Sequence, residues 1–132
     1  MRTLIVSAAA LAVLVGAPSQ AAETPKFQPK PYFEMPLDKD PSRQVRLQNV
    51  TLPPGAANTF HRHPGDQWWA IQEGEITYTV KGQPPRTLKP GDYVYVPRGT
   101  VHRNQNLTDK PARAIELNIT DKGKPQTEQV AD

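Results

Sequence analysis

The sequence predicts one all-β domain, a sandwich or barrel, preceded by an extended arm. Three observations carry this. Short runs of Val, Ile, Tyr and Thr alternate with polar neighbours. Turns rich in Gly and Pro separate those runs at regular intervals, and the 132-residue chain holds 15 Pro and 8 Gly. No stretch beyond the N-terminal segment has the periodicity of a helix of ten or more residues.

The first 21 residues stand apart. Met1-Arg2 is a short basic start, and Leu4 to Gly16 is an apolar run of 13 residues. Ser19 and Ala21 place small side chains at −3 and −1 of a cleavage site after Ala21. This is the pattern of a signal peptide (residues 1–21), and the run is short of the ~20 residues that a membrane span needs. The expectation is a periplasmic or secreted protein with no membrane attachment after cleavage.

Residues 22–43 carry prolines at 25, 29, 31, 36 and 41. Proline fixes φ and lacks an N–H, so this reads as an extended arm, which Phe27, Tyr32, Phe33 and Met35 would anchor on the domain or on a neighbouring subunit. The barrel is expected over 44–119. Val45 and Leu47 alternate, then Val50 and Leu52 continue out of phase, as a bulge would cause. Pro53-Pro54-Gly55 turns the chain, Thr59–His63 and Trp68–Gln72 are strands, and Glu73-Gly74 turns it again. Ile76, Tyr78 and Val80 alternate. Arg86–Leu88, Tyr93–Val96 and the segment around His102 follow. Ala112–Ile119 closes the set, with Ile115, Leu117 and Ile119 on one face. Residues 120–132 are polar and read as a flexible tail.

Composition excludes several functions. Cleavage after Ala21 leaves 15 of the 16 basic residues against 13 acidic ones, scattered along the chain. That balance and the absence of aromatics interleaved with basic clusters argue against nucleic acid. There is no cysteine, hence no disulfide, thiol nucleophile or thiolate ligand.

All three histidines fall in two short segments, Gly55-x5-His61-x-His63-x3-Gln67-x6-Gly74 and Gly91-x5-Pro97-x-Gly99-x2-His102-x3-Asn106. Residues two apart on a strand share a face, so His61 and His63 point the same way. A turn at Pro64-Gly65-Asp66 would fold the next strand back and bring Gln67 alongside, and His102 arrives on another strand. Three imidazoles and an amide can then meet inside a barrel, leaving an open position as catalytic metal sites do.

These segments resemble the two motifs of the cupin family, G-x5-H-x-H-x3,4-E-x6-G and G-x5-P-x-G-x2-H-x3-N. The second is met at every position. The first departs only at Gln67, where the family usually has Glu. The resemblance implies a jelly-roll barrel, metal ligation by His61, His63, Gln67 and His102, and a homodimer with an exchanged N-terminal strand or arm. The glycines, Pro97 and Asn106 have structural roles in it.

A neutral Gln leaves a divalent ion at its full +2 charge, which favours an anionic, oxygen-rich small molecule and Lewis-acid chemistry. The expected cofactor is one divalent metal: Zn, Mn, Fe, Ni or Cu. The expected function is an isomerase- or lyase-like metalloenzyme, the alternatives being a metal-dependent dioxygenase and a non-catalytic barrel that binds a metal or small molecule. Trp69, Tyr78, Tyr95 and Asn104 are candidate pocket residues. Arg46 and Arg113 are candidates for holding a carboxylate, and Asp66 is expected to support its turn. No residue declares itself as a general base.

Overall fold

The computed structural model describes residues 22–131; the proposed signal peptide, residues 1–21, lies outside them. The described residues form ten strands and no helix: β1 (Gln28–Leu37), β2 (Asp40–Leu52), β3 (His61–Arg62), β4 (Gly65–Glu73), β5 (Ile76–Val80), β6 (Arg86–Leu88), β7 (Tyr93–Val96), β8 (His102–Gln105), β9 (Ala112–Asp121) and β10 (Glu128–Gln129). They make two five-stranded antiparallel sheets, ordered β1-β2-β9-β4-β7 and β10-β3-β8-β5-β6. Two such sheets face to face, with the chain passing between them, are a jelly roll.

The first sheet positions the site, and its registers show how. One inward row runs Arg46, Asn118, Gln67, Val96, and the next runs Gln48, Glu116, Trp69, Val94. Beyond them Val50, Ala114 and Ile71 form an apolar row. The inner face is thus polar at one end and apolar at the other. Leu52, Ala56, Ile76 and Leu88 complete the buried core at the apolar end. A barrel interior is usually filled by apolar side chains. Here four of the buried residues on one face of β9 and β2 are Gln48, Glu116, Asn118 and Thr120.

Several sequence expectations change. The β2·β9 register is unbroken from Arg43↔Asp121 to Leu52↔Ala112, so β2 itself carries no bulge; the irregularity at that place is in β1, between Pro31 and Phe33, opposite Gln48 and Leu47. The phase slip has another cause: Val45 and Leu47 lie on the outer face, and Val50 and Leu52 face the core. The proline-rich segment is a strand, β1, paired with a β2 that starts at Asp40 and not Gln44. Pro29, Pro31 and Pro36 are tolerated because β1 is an edge strand. Pro64-Gly65-Asp66 does not fold a hairpin; the chain crosses there from the second sheet to the first. Among the described residues, 120–131 are not a free tail: Thr120 and Asp121 end β9, and β10 pairs with β3.

Two motif positions show why side chains are restricted. Gly74 has φ +69°, and a Cβ there would lie 2.5 Å from the Pro111 carbonyl oxygen. Asn106, fully buried, donates from Nδ2 to the Leu52 and Lys110 carbonyls (2.9 and 2.7 Å) and accepts from the Thr108 N–H (3.0 Å). Asn106→Ala would strand these groups without partners. It is expected to lower stability by about 2–4 kcal/mol in denaturant melts while leaving the distant histidines in place.

Candidate metal centre

His61 on β3 lies directly opposite His102 on β8, and His63 follows at the start of the crossing to β4. All three are buried, and one nitrogen of each lies within 4.8 Å of the other two. The ring centroids are 4.5 to 5.2 Å apart. Three positive imidazoliums could not share this space. Burial lowers the pKa of each ring, to about 4 for His102, with the neighbouring rings adding to the effect for His61 and His102.

The tautomers follow from the hydrogen bonds. Each Nδ1 faces a backbone carbonyl: Thr59 for His61 (2.9 Å), Gln126 for His63 (2.7 Å) and Thr100 for His102 (3.0 Å). A carbonyl only accepts, so every Nδ1 carries the proton and every Nε2 presents a lone pair. The Nε2 atoms of His63 and His102 are buried without a hydrogen-bond partner, and so is Oε1 of Gln67. The Gln67 Nε2 donates to Asn118 Oδ1 (3.1 Å), which turns the amide oxygen away from Asn118. Such orphaned acceptors are costly when buried. A divalent cation would satisfy them together, and the donor set of imidazole nitrogen and amide oxygen suits Zn, Mn, Fe, Ni or Cu.

Beside the cluster is a cavity of about 220 Å3, lined in part by Phe27, Arg46, His63, Gln67, Trp69 and Glu116. At ~30 Å3 per water it holds about seven waters, or a small organic molecule. Glu116 is the site residue that sequence reading missed. Its Oε1 accepts from Gln48 Nε2 (3.1 Å) and Asn118 Nδ2 (2.5 Å). Burial pushes its carboxyl above the ordinary carboxylate range, against the opposing pull of those donors, Gln67 and Arg46.

The four pocket candidates separate. Trp69 is buried and lines the cavity. Tyr78 is buried with its ring 5.7 Å from that of His102, where it backs the ligand cluster. Asn104 is buried, and its backbone N–H binds Asn58 Oδ1 (2.8 Å), fastening β8. Tyr95 is a correction: it lies on the outer face, 47 % exposed, stacked on Trp68 and donating to Asp66 Oδ1 (3.2 Å). Alternation along β7 makes Val94 and Val96 the inward pair instead. Arg46 lines the cavity, whereas Arg113 is exposed and paired with Glu73 (2.8 Å). Asp66 also accepts from the Arg98 N–H (3.0 Å), tying β4 to the turn after β7.

A pH dependence follows from the buried rings. Each folded-state pKa lies below the unfolded 6.5, so unfolding takes up protons as pH falls. The histidine contribution to the stability of the metal-free protein is therefore full above pH 6.5 and declines below it, the His102 share down to about pH 4, while Glu116, with its raised pKa, acts in the opposite direction. His102 alone withdraws on the order of 3 kcal/mol over that interval. Urea melts of Glu116→Gln between pH 8 and 4 measure it without the opposing carboxyl; a flat profile there would contradict neutral, buried rings.

A double-sheet barrel with three buried histidines that could hold a metal ion at its polar end defines a class of jelly-roll barrels. The family model for the cupin domain matches residues 48–118, and the chain belongs to that family. Dimethylsulfoniopropionate lyase DddQ of Ruegeria pomeroyi is 38% identical over 68 residues, which are 52% of this chain and 33% of the lyase. Its crystal structure superposes with a TM-score of 0.58 at 30% identity, covering 65% of this chain and 43% of that one. The tetracenomycin polyketide synthase protein TcmJ of Streptomyces glaucescens is 34% identical over 70 residues, 52% of this chain and 46% of TcmJ. A cupin-like protein of Thermotoga maritima superposes with a TM-score of 0.60 at 25% identity, covering 80% and 77% of the two chains. This chain thus spans less than half the length of these two curated relatives.

Proposed function

We propose that the protein is an exported, metal-dependent cupin enzyme that acts on a small anionic, oxygen-rich molecule by isomerase- or lyase-like chemistry. The observation that carries this reading is Glu116, a buried carboxylate with a raised pKa on the wall of a cavity that His63 and Gln67 also line. A general acid or base needs that placement and that pKa, and a passive binding barrel needs neither. A divalent ion held by His61, His63, His102 and Gln67 would supply a Lewis acid for a substrate oxygen. Arg46, paired with Glu34 (2.8 Å), provides a cation for a substrate carboxylate by exchanging that partner, Trp69 and Phe27 exclude water, and Glu116 accepts or returns the proton. The similarity to a lyase supports elimination as the reaction type.

The test is carbon-bound proton exchange. The protein loaded with each metal in turn is incubated in deuterated water with small hydroxy, keto and sulfonio acids, dimethylsulfoniopropionate among them. Exchange or elimination is expected for a member of this panel, and Glu116→Gln should slow it at least ~100-fold with metal content unchanged. Equal rates in the two proteins would refute the role of Glu116.

The outer face of the first sheet supports a homodimer. A row Phe33, Leu47, Leu117, Trp68, Tyr95 crosses all five strands, flanked by Met35, Val45, Ile115 and Ile119. These side chains are partly or fully exposed. They form one continuous apolar face across the sheet, the kind of surface that marks an interface between proteins. The rim charges are already paired, as Arg98–Asp121 (2.7 Å) and Arg43–Asp66 (3.8 Å), so a second copy can cover the face without burying a lone charge. Sedimentation should give a dimer that Leu117→Arg converts to a folded monomer; a wild-type monomer at micromolar concentration would refute it.

A further inference from the structure

The three ligand histidines are not held alike. His61 and His102 each donate to a carbonyl two residues upstream on their own strand segment, Thr59 and Thr100. His63 donates to the Gln126 carbonyl, 63 residues away and beyond the part of the chain that matches the family model. We infer that residues 122–131 are a working part of the metal centre, a strap that sets the tautomer and orientation of His63 and walls the cavity. The inference rests on the metal-site reading, and it assigns a positioning role to a segment whose sequence is unremarkably polar.

The strap is fastened along its length. Lys122 N–H binds the Ser42 carbonyl (2.8 Å) as the chain leaves the first sheet. Gln126 then accepts from Arg46 through Oε1 and donates from Nε2 to Glu34 Oε2 (3.4 Å). Both partners belong to the β1–β2 hairpin, so the side chain of Gln126 locates its own carbonyl. Gln126 and Thr127 line the cavity. Glu128 and Gln129 pair with Arg62 and His61 on β3, and Glu128 also holds Arg62 through an ion pair (2.8 Å). Val130 N–H binds the Phe60 carbonyl (3.1 Å), and Lys81 reaches the Ala131 carbonyl (2.7 Å). Beyond the Lys122 bond, these contacts lie beside a ligand strand or the cavity.

Without the Gln126 carbonyl, His63 keeps its place in the chain but loses the acceptor that pins its proton on Nδ1. Its ring is then free to put the proton on Nε2 or to turn, and either removes a lone pair from the cluster. Loss of such a hydrogen-bonded partner typically costs 10–100-fold in metal affinity.

The experiment compares the full chain, a chain ending at Lys124, and a semisynthetic full chain with an ester in place of the amide between Gln126 and Thr127. The ester weakens that one carbonyl as an acceptor. Two quantities are read: the zinc dissociation constant by competition titration, and the tautomer of each ring by imidazole 15N shifts in the metal-free protein. The truncated chain is expected to bind zinc 10–100-fold more weakly, with His63 as a mixture of tautomers and His61 and His102 still single, and a peptide of residues 122–132 should restore both. The ester should move both quantities the same way by a few-fold. A single His63 tautomer and affinity within twofold in both variants would overturn the inference. Failure of the full chain to bind any divalent metal would instead refute the metal site, and the ring tautomers would still decide the role of the strap.

Discussion

His102→Ala is expected to abolish stoichiometric metal binding at micromolar protein. His102 is fully buried, its Nε2 has no protein partner, and its ring lies 4.5 Å from that of His61 and 5.2 Å from that of His63. Four-ligand zinc sites are worth roughly 10 kcal/mol or more, so removal of one imidazole costs about 3 kcal/mol, or ~100-fold in affinity. The same change removes one of three buried rings that must gain protons on unfolding. The metal-free variant should therefore lose less stability between pH 6.5 and 4 than the parent. Calorimetric zinc titration and urea melts at several pH values measure the two effects. Tight binding by the variant would mean that His102 is packing and not a ligand.

Gly65→Ala is expected to be the most destabilising single-methyl substitution in the domain. Gly65 pairs with Thr120 where the chain enters β4. A Cβ there would overlap the Ile119 carbonyl oxygen and lie 2.6 Å from Thr120 Cα. Both obstacles are backbone, so β4 and β9 must separate. That costs about 3 kcal/mol or more, a fall in Tm of the order of 10 °C for a domain this size. Gln67 follows two residues later, and Asn118, which orients its amide, lies on the displaced strand. Metal affinity should therefore fall with stability. Gly82→Ala is the control: with φ +83° and no atom within 4 Å, it carries backbone strain alone, about 1 kcal/mol.

Gln67→Glu tests the electrostatics from the other direction. A carboxylate would bring a second charge near Glu116 and lose the donor to Asn118, yet an anionic ligand should still tighten divalent metal binding about tenfold. Unchanged or weaker binding would remove the charge basis for an anionic substrate.

The histidines were legible because spacing of two on a strand fixes a shared face whatever the fold. The turns were legible because Gly and Pro leave few alternatives. Glu116 was not. On β9 the apolar alternation of Ile115, Leu117 and Ile119 draws attention to the outer face, while Glu116 and Asn118, the residues that serve the site, look like a solvated edge. Tyr95 failed for the same reason: alternation separates two faces without saying which is inside. The slip between Leu47 and Val50 carried the information, since it marks where β2 changes from apolar-out to apolar-in. The strap was illegible because its bond to His63 comes from a backbone carbonyl, which every residue offers.

X-ray absorption at the zinc edge, on the full chain loaded with one equivalent of zinc, bears most directly on the convergence of the three rings. Three imidazole nitrogens at about 2.0–2.1 Å with one or two oxygens are the expected coordination shell. A shell of oxygen alone, or with a single imidazole, would contradict it.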